Sequence, residues 1–189
     1  MEAWQHVALG IGLAAACGFR VFVPLLLMGV GARTGFLDLS ADMAWLSSNA
    51  ALIGLATAAV AEVLAYYVPW VDNLLDAVAT PAAMGAGTLA SASVLGGDLP
   101  AMWTWGLSAI AGGGAAGLIQ GGTVATRGAS SASTGGASNF VVATLENVAS
   151  VLTTVLAVAA PLLAAAGVVG LLAYAAWRLV RRRRAPSAS

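Results

Sequence analysis

Four runs of roughly twenty or more apolar residues, and a fifth about twice as long, dominate this chain, and about twenty is what an α-helix needs to cross the hydrocarbon of a bilayer. They cover Val7 to Ala32, Asn49 to Val68, Leu74 to Leu95, Trp103 to about Val124, and Asn139 to Val180. Hydrophobic residues make up 60% of the 189 positions and charged residues 8%, against roughly 25% charged in soluble domains. A water-soluble domain of this length leaves too much of its area exposed to hide that apolar surface. The reading is an all-α integral membrane protein whose first partner is the lipid bilayer. Its length suggests one transmembrane domain over residues 1–180, followed by an Arg-rich tail at 181–189 that ends in a disordered segment from Ala185.

The long run fixes the span count at five or six. As a single helix it would be roughly 60 Å long, twice the hydrocarbon thickness. Pro161 is its only internal breaker. It is therefore either a tight hairpin of two spans or a half-helix followed by one long span. The first run is predicted to be interrupted, because Gly18 and Pro24 flank Arg20 inside it. All six tryptophans lie near predicted ends, where amphipathic rings favour the headgroup layer. Trp4 precedes the first run, Trp45 and Trp70 bracket the second, Trp103 and Trp105 open the fourth, and Trp177 closes the last.

Orientation follows from charge. Arg178 and the run Arg181 to Arg184 lie at the end of the last apolar segment. The positive-inside rule sets that end in the cytoplasm of a cell whose inner membrane holds the protein. Arg33 and Arg127, each alone between apolar runs, leave the N-terminal side open. Six spans put it inside and five put it outside. The connecting segments differ in character. Residues 33–48 carry Asp38 and Asp42, residues 96–102 form a Gly-Gly-Asp turn with Pro100, and residues 126–138 are Gly/Ser-rich and read as a flexible tether.

A small-residue face runs along the fourth segment. Ala109, Gly113, Gly117 and Gly121 recur at i, i+4 spacing. In lipid such a face lets helix backbones approach closely, within one chain or across a homo-oligomer.

Ionisable residues inside the apolar runs carry the functional argument. A charge near the bilayer centre costs at least about 2.5–3.5 kcal/mol on insertion scales, so a chain keeps one only when it is paired, wetted or used. Arg20 lies about 20 Å from either end of its run, Glu62 roughly 9 Å inside the second, and Glu146 about 10 Å inside the last. Asp72 and Asp76 open the third run and share a face, where they can also serve the helix dipole. Arg20 and Glu62 lie on neighbouring antiparallel segments and are expected to neutralise each other. An internal echo links Val71-Asp72-Asn73-Leu74 with Leu145-Glu146-Asn147-Val148, each placing an acid and an amide at the start of a helix, as inverted repeats of transporters do.

Several chemistries lack their residues. Cys17 is the single cysteine, so neither an intramolecular disulfide nor a cysteine metal cluster can form. The alanines before it resemble a lipoprotein cleavage box, but the positive leader such a box requires is missing. His6 is alone near the terminus and reads as an interfacial histidine. No nucleophile triad, HExxH or phosphate-cradling loop is present, so no cofactor and no metal site is expected. No basic stripe with interleaved aromatics speaks for nucleic acid.

Two polar stretches carry a family resemblance. One is Glu62, then Val68-Pro69-Trp70-Val71-Asp72-Asn73 through Asp76, Thr80 and Pro81. The other is Thr126-Arg127, Gly135-Gly136, Asn139 and Glu146-Asn147. With Gly18-Phe19-Arg20 they resemble a family of uncharacterised bacterial multi-pass membrane proteins, domain of unknown function 4126, over about residues 8–165. The resemblance implies a histidine and a lysine upstream of Arg127, where Gln120 and the neighbourhood of Val124 stand here, and a Glu-Asp pair where this chain has Glu146-Asn147. A proton relay through that histidine is therefore weakened. The resemblance bears on fold and membrane location and leaves function open.

Two functions compete. One is a small transporter or channel for an ion or small polar solute, with Arg20, Glu62, Asp72, Asn73, Asp76, Arg127, Asn139 and Glu146 as its polar pathway. The other is a membrane scaffold or assembly factor whose buried ion pairs only hold helices together. An intramembrane enzyme acting on lipid lacks a recognisable nucleophile or base.

Overall fold

The two prolines that interrupt apolar runs explain where the chain turns. Proline cannot sit inside a helix without its ring meeting the carbonyl four residues back. For Pro24 that residue is Arg20, and there the first run breaks. In a computed structural model that describes residues 2–68, 71–96 and 99–184, α1 spans Ala3–Phe19 and α2 spans Phe22–Arg33. Arg20 between them is extended, with φ −146° and ψ 135°. Pro24 sits in the first turn of α2, where a missing N–H costs nothing. Pro161 acts likewise in the long run. The residue before a proline avoids helical angles, so α7 (Asn139–Ala159) ends and Ala160 takes φ −147°, ψ 71°. Pro161 then opens α8 (Pro161–Arg184).

Between these lie a 3₁₀ turn at Ala41–Ser47, α3 (Asn49–Ala65), α4 (Val71–Leu95) and α5 (Ala101–Leu107). A π-helical segment at Ser108–Gly113 leads without a gap into α6 (Gly114–Thr134). Every regular element among the described residues is helical. The 96–102 turn and the bracketing role of Trp70 fall partly on residues outside the described set, as do Ala185 to Ser189 and the side chains of Arg182 to Arg184. The other five tryptophans are all about half exposed, from 45% at Trp105 to 57% at Trp103, as headgroup-facing rings should be.

Among the described residues, three helical stretches can cross a membrane by length and composition: Leu74–Leu95 of α4, α7, and Pro161–Arg178 of α8. Four can when the 3₁₀ turn and α3, bent by 64° to each other, count as one span. The remaining expected segments are assembled from shorter pieces, α1 with α2 and α5 with the π-segment and α6. The long C-terminal run resolves as the hairpin. Ser150 of α7 donates to the Ala16 carbonyl, and a side chain on Gly12 would meet both Ala157 of α7 and Ala164 of α8. Val168 of α8 packs with Ala15. So α7 runs antiparallel to α1 and α8 runs back alongside it.

The supposed tether at 126–138 is a correction. Residues 126–134 continue α6, and only 135–138 turn. The hydroxyls that suggested flexibility are absorbed by the helix itself: Thr126 donates to the Gly122 carbonyl, Ser133 to Ala129 and Thr134 to Ser130. Gly135 and Gly136 then stop it with φ of 64° and 88°, left-handed angles that favour glycine.

The interior is built of small residues and the exterior of large ones. Alanines and Leu13, Cys17 and Met28 are buried around α1, while Leu74, Ile110, Leu118, Leu145 and Leu163 are more than 60% exposed. That is the distribution lipid favours, since close backbone approach rather than hydrophobicity drives helix association there. One close approach joins α4 to the π-segment. A Cβ on Gly112 would lie 2.6 Å from the Gly87 carbonyl oxygen. Of the expected packing face, Gly113 and Gly117 meet Thr88 and Met84 of α4. Gly121 has nothing within 4 Å and Ala109 is exposed. The face drifts because each i, i+4 step turns it by about 40° and the π-turn adds its own offset. We expect Gly112→Ala to lower stability by about 1–3 kcal/mol through overpacking, and Gly121→Ala to leave it level or raise it. Thermal unfolding in detergent reads both, and equal melting of Gly112→Ala and the parent would contradict the contact.

Candidate functional site

The break between α1 and α2 leaves two groups that a membrane interior cannot leave alone: the Arg20 guanidinium and the free N–H groups of α2. Each finds an acid, but not the same one. The Arg20–Glu62 pair expected from adjacency does not form. Arg20 instead reaches α7, where its Nη1 lies 2.7 Å from Glu146 Oε2. Its Nε donates to Asn147 Oδ1 at 2.6 Å, and its remaining N–H groups donate to the carbonyls of Phe19 and Ala143. Glu62, on α3, accepts from the backbone N–H of Val21 at 2.7 Å and of Phe22 at 3.0 Å. The physical reason is local. Helix α2 starts at mid-run with no side-chain cap of its own, and a carboxylate is the best partner for the positive end of a helix dipole.

Glu146 does more than balance Arg20. Its other oxygen accepts from Arg127 Nη2 of α6 at 3.0 Å. Arg127 Nη1 lies 3.2 Å from Asp76 Oδ1 of α4. Both guanidinium carbons stack on the ring of Tyr66, at 4.1 Å for Arg20 and 4.2 Å for Arg127, a cation–π contact that gains strength away from water. The Tyr66 hydroxyl donates to Asp76 Oδ1 at 3.5 Å. Arg20 and Arg127 are both 1% exposed. Five elements thus converge on one charged knot: the α1–α2 break, the end of α3, and helices α4, α6 and α7.

From the knot a polar track leads toward the turn between α6 and α7. Asn139, the first residue of α7, donates from Nδ2 to Asp72 Oδ2 at 2.7 Å and to Ser131 Oγ at 2.9 Å. Beyond it Ser138 sits within 2.8 Å of Ser130 and 3.0 Å of Thr134. Two lateral clefts also end at the knot. One of about 420 Å³ opens between α6, α7 and α8 and is lined by Phe19, Thr123, Leu145 and Glu146 among others. The second, about 470 Å³, separates α3 from α4 and has Glu62, Tyr66 and Ala79 in its wall.

Of the eight pathway residues read from sequence, Arg20, Asp72, Asp76, Arg127, Asn139 and Glu146 are joined in this network, and Glu62 flanks it at the α2 N-terminus. The side chain of Asn73 lies outside the described residues. The echo between the two acid–amide pairs holds only in part. Asp72 stands in the first turn of α4, but Glu146 is well inside α7 rather than at its start. Tyr66, Ser131 and the structural use of Asn147 were missed. Tyr66 follows Glu62 by one helical turn, and that i, i+4 spacing was the available signal.

Removing Glu146 would strand the buried Arg20 guanidinium and leave Arg127 with Asp76 alone. We therefore expect Glu146→Ala to lower stability by about 3–5 kcal/mol, and Glu62→Gln, which keeps one of the two acceptor oxygens that serve Val21 and Phe22, to cost less. Chemical denaturation in micelles compares them, and a Glu146→Ala protein as stable as the parent would mean the bridge is not made.

No curated protein and no solved structure matches this chain. The sequence matches over residues 7–182 the family described as Domain of unknown function (DUF4126). That span takes in the break, all the acids of the network and both arginines, so the chain belongs to this family of unknown function.

Proposed function

We propose that this protein is a small transporter or channel for an ion or small polar solute, set in a cell's inner membrane with its C-terminus in the cytoplasm. One observation carries the reading: a buried, hydrogen-bonded charge network lies at a broken helix and continues as hydroxyls to the α6–α7 turn. Broken helices offer backbone groups to solutes at mid-membrane, and intramembrane ionisable residues mark ion and solute paths more often than they serve stability alone. With the C-terminus inside, the hydroxyl track faces the cytoplasm, because the end of α6 and the start of α7 lie on the same side as the end of α8.

The scaffold alternative draws on Glu146, whose bridge ties α1, α6 and α7 into one unit. Buried charges can be kept for that alone. The exposed Ala109 and Gly121 of the small-residue face would then suit a second copy of the chain.

Flux separates the two. Reconstituted in liposomes against a panel of monovalent and divalent ions and small polar solutes, the parent protein should move at least one. Glu62→Gln should reduce that flux about tenfold or more while melting closer to the parent than Glu146→Ala does, since the charge at the break is lost and one of its two acceptor oxygens is kept. A parent protein inert toward the whole panel would favour the scaffold. Topology has its own check. A C-terminal reporter active only outside the cytoplasm should stay silent, and a signal from it would reverse the orientation.

A further inference from the structure

Helix α8 is the most thinly covered of the three long spans, with 11% of it buried inside the protein against 50% of the α4 span. The cause lies along one side of it. The cleft of about 420 Å³ between α6, α7 and α8 shares Phe19, Ile119 and Leu171 with a second cavity of about 160 Å³. Together they form one trough along α8 from Leu163 to Ala175. At 1.5 Å per residue it is about 18 Å long, close to one leaflet of a hydrocarbon core about 30 Å thick. Its wall is apolar except for threonine hydroxyls and Glu146, whose two oxygens already face Arg20 and Arg127. A charged end completes this apolar length. Positions 164, 167, 171, 175 and 178 recur every three or four residues, so Arg178 continues the α8 face that lines the trough. Arg178 is also the last residue of the span, one turn beyond Ala175. It is exposed, with its guanidinium carbon 5.9 Å from the centre of the Tyr174 ring, and Arg181 lies over Trp177 at 4.6 Å. Among the described residues neither arginine makes an ion pair.

We propose that the trough between α6, α7 and α8 binds one acyl chain of an anionic phospholipid, whose phosphate is held by Arg178 and Arg181. The apolar wall takes the chain over about one leaflet, and the two arginines wait at headgroup depth without an acid of their own. Guanidinium and phosphate pair through charge-assisted hydrogen bonds, and basic clusters just beyond a membrane span draw anionic lipid. Arg182 to Arg184 add to that attraction. The aromatic rings beneath Arg178 and Arg181 keep both cations at the interface, where such rings settle. A zwitterionic lipid offers the same chain but carries its own cation beside the phosphate. A helix from a second copy, about 10–12 Å wide with its side chains, is too thick to enter. The site goes beyond the transport reading and stands equally with a scaffold.

The experiment measures thermal unfolding of the purified full chain in micelles with added phosphatidylglycerol, with phosphatidylcholine of the same chains, or with glycerol phosphate, which has none. A ligand that binds the folded state alone raises the melting temperature as its concentration passes the dissociation constant. Phosphatidylglycerol should raise it by several degrees, phosphatidylcholine by less than half as much, and glycerol phosphate not at all. The double variant Arg178→Gln with Arg181→Gln should reduce the phosphatidylglycerol gain to that of phosphatidylcholine. Gly122→Leu tests the trough itself. Gly122 lies in its wall with nothing within 4 Å of an added Cβ, so a leucine there fills the space without striking a neighbour. That variant should fold and lose most of the gain. Arg33→Gln, a charge removed from the end of α2, should keep it in full. Equal gains from the two lipids, a gain from glycerol phosphate alone, or no gain at all overturns the site. So does an undiminished gain in Gly122→Leu or in the double arginine variant. A melting temperature that rises with protein concentration and ignores lipid overturns it as well, and gives this face to a second copy of the chain.

Discussion

Everything near the centre of this protein depends on one carboxylate, Glu146, held between two guanidiniums in a lipid environment. Neither arginine could be buried alone, because an unpaired charge in hydrocarbon is among the costliest features a helix can carry. By accepting Arg20 on one oxygen and Arg127 on the other, Glu146 makes three helices conditional on one another. Tyr66 adds a surface on which both cations rest. The break between α1 and α2 is tolerable for the same reason: its exposed N–H groups have Glu62, and its arginine has Glu146.

The small-residue interior serves this arrangement. Large apolar side chains between the helices would hold the backbones apart and leave the polar groups out of hydrogen-bond range. Glycines such as Gly87, Gly112 and Gly18 instead let neighbouring backbones nearly touch. The bulky residues then face outward, where lipid receives them at no loss. Helix α3 packs on α2 and the 3₁₀ turn, with a cleft between it and α4.

The membrane class, the helical runs, both proline breaks and the pool of charged residues were legible in the sequence, because each follows from a local rule. The partners were not. Arg20 and Glu62 were matched as neighbours along antiparallel segments, yet the break itself created a stronger demand on Glu62, two backbone N–H groups, which no side-chain pattern announces. The Gly/Ser stretch read as a tether because composition is blind to hydroxyls that bond back within a helix. Tyr66 lies at the end of an apolar run. Its role as a platform depends on α6, which comes later in the chain and brings Arg127 to it.

The distance along the chain between Arg20 and its acid has a consequence for biogenesis. The two residues are 126 positions apart, so Arg20 is committed to the bilayer while Glu146 has yet to be made. During that interval the nascent chain holds an unmatched guanidinium, a state that water, lipid headgroups or an insertion factor must tolerate, while the N–H groups of the break wait only for Glu62 of α3. Docking of α7 ends the interval in one step, supplying the acid, the Asn147 amide and the Ala143 carbonyl together. Assembly is therefore gated late, and a chain released before α7 would leave the quality-control machinery a clear mark to read: a positive charge with no place in the membrane.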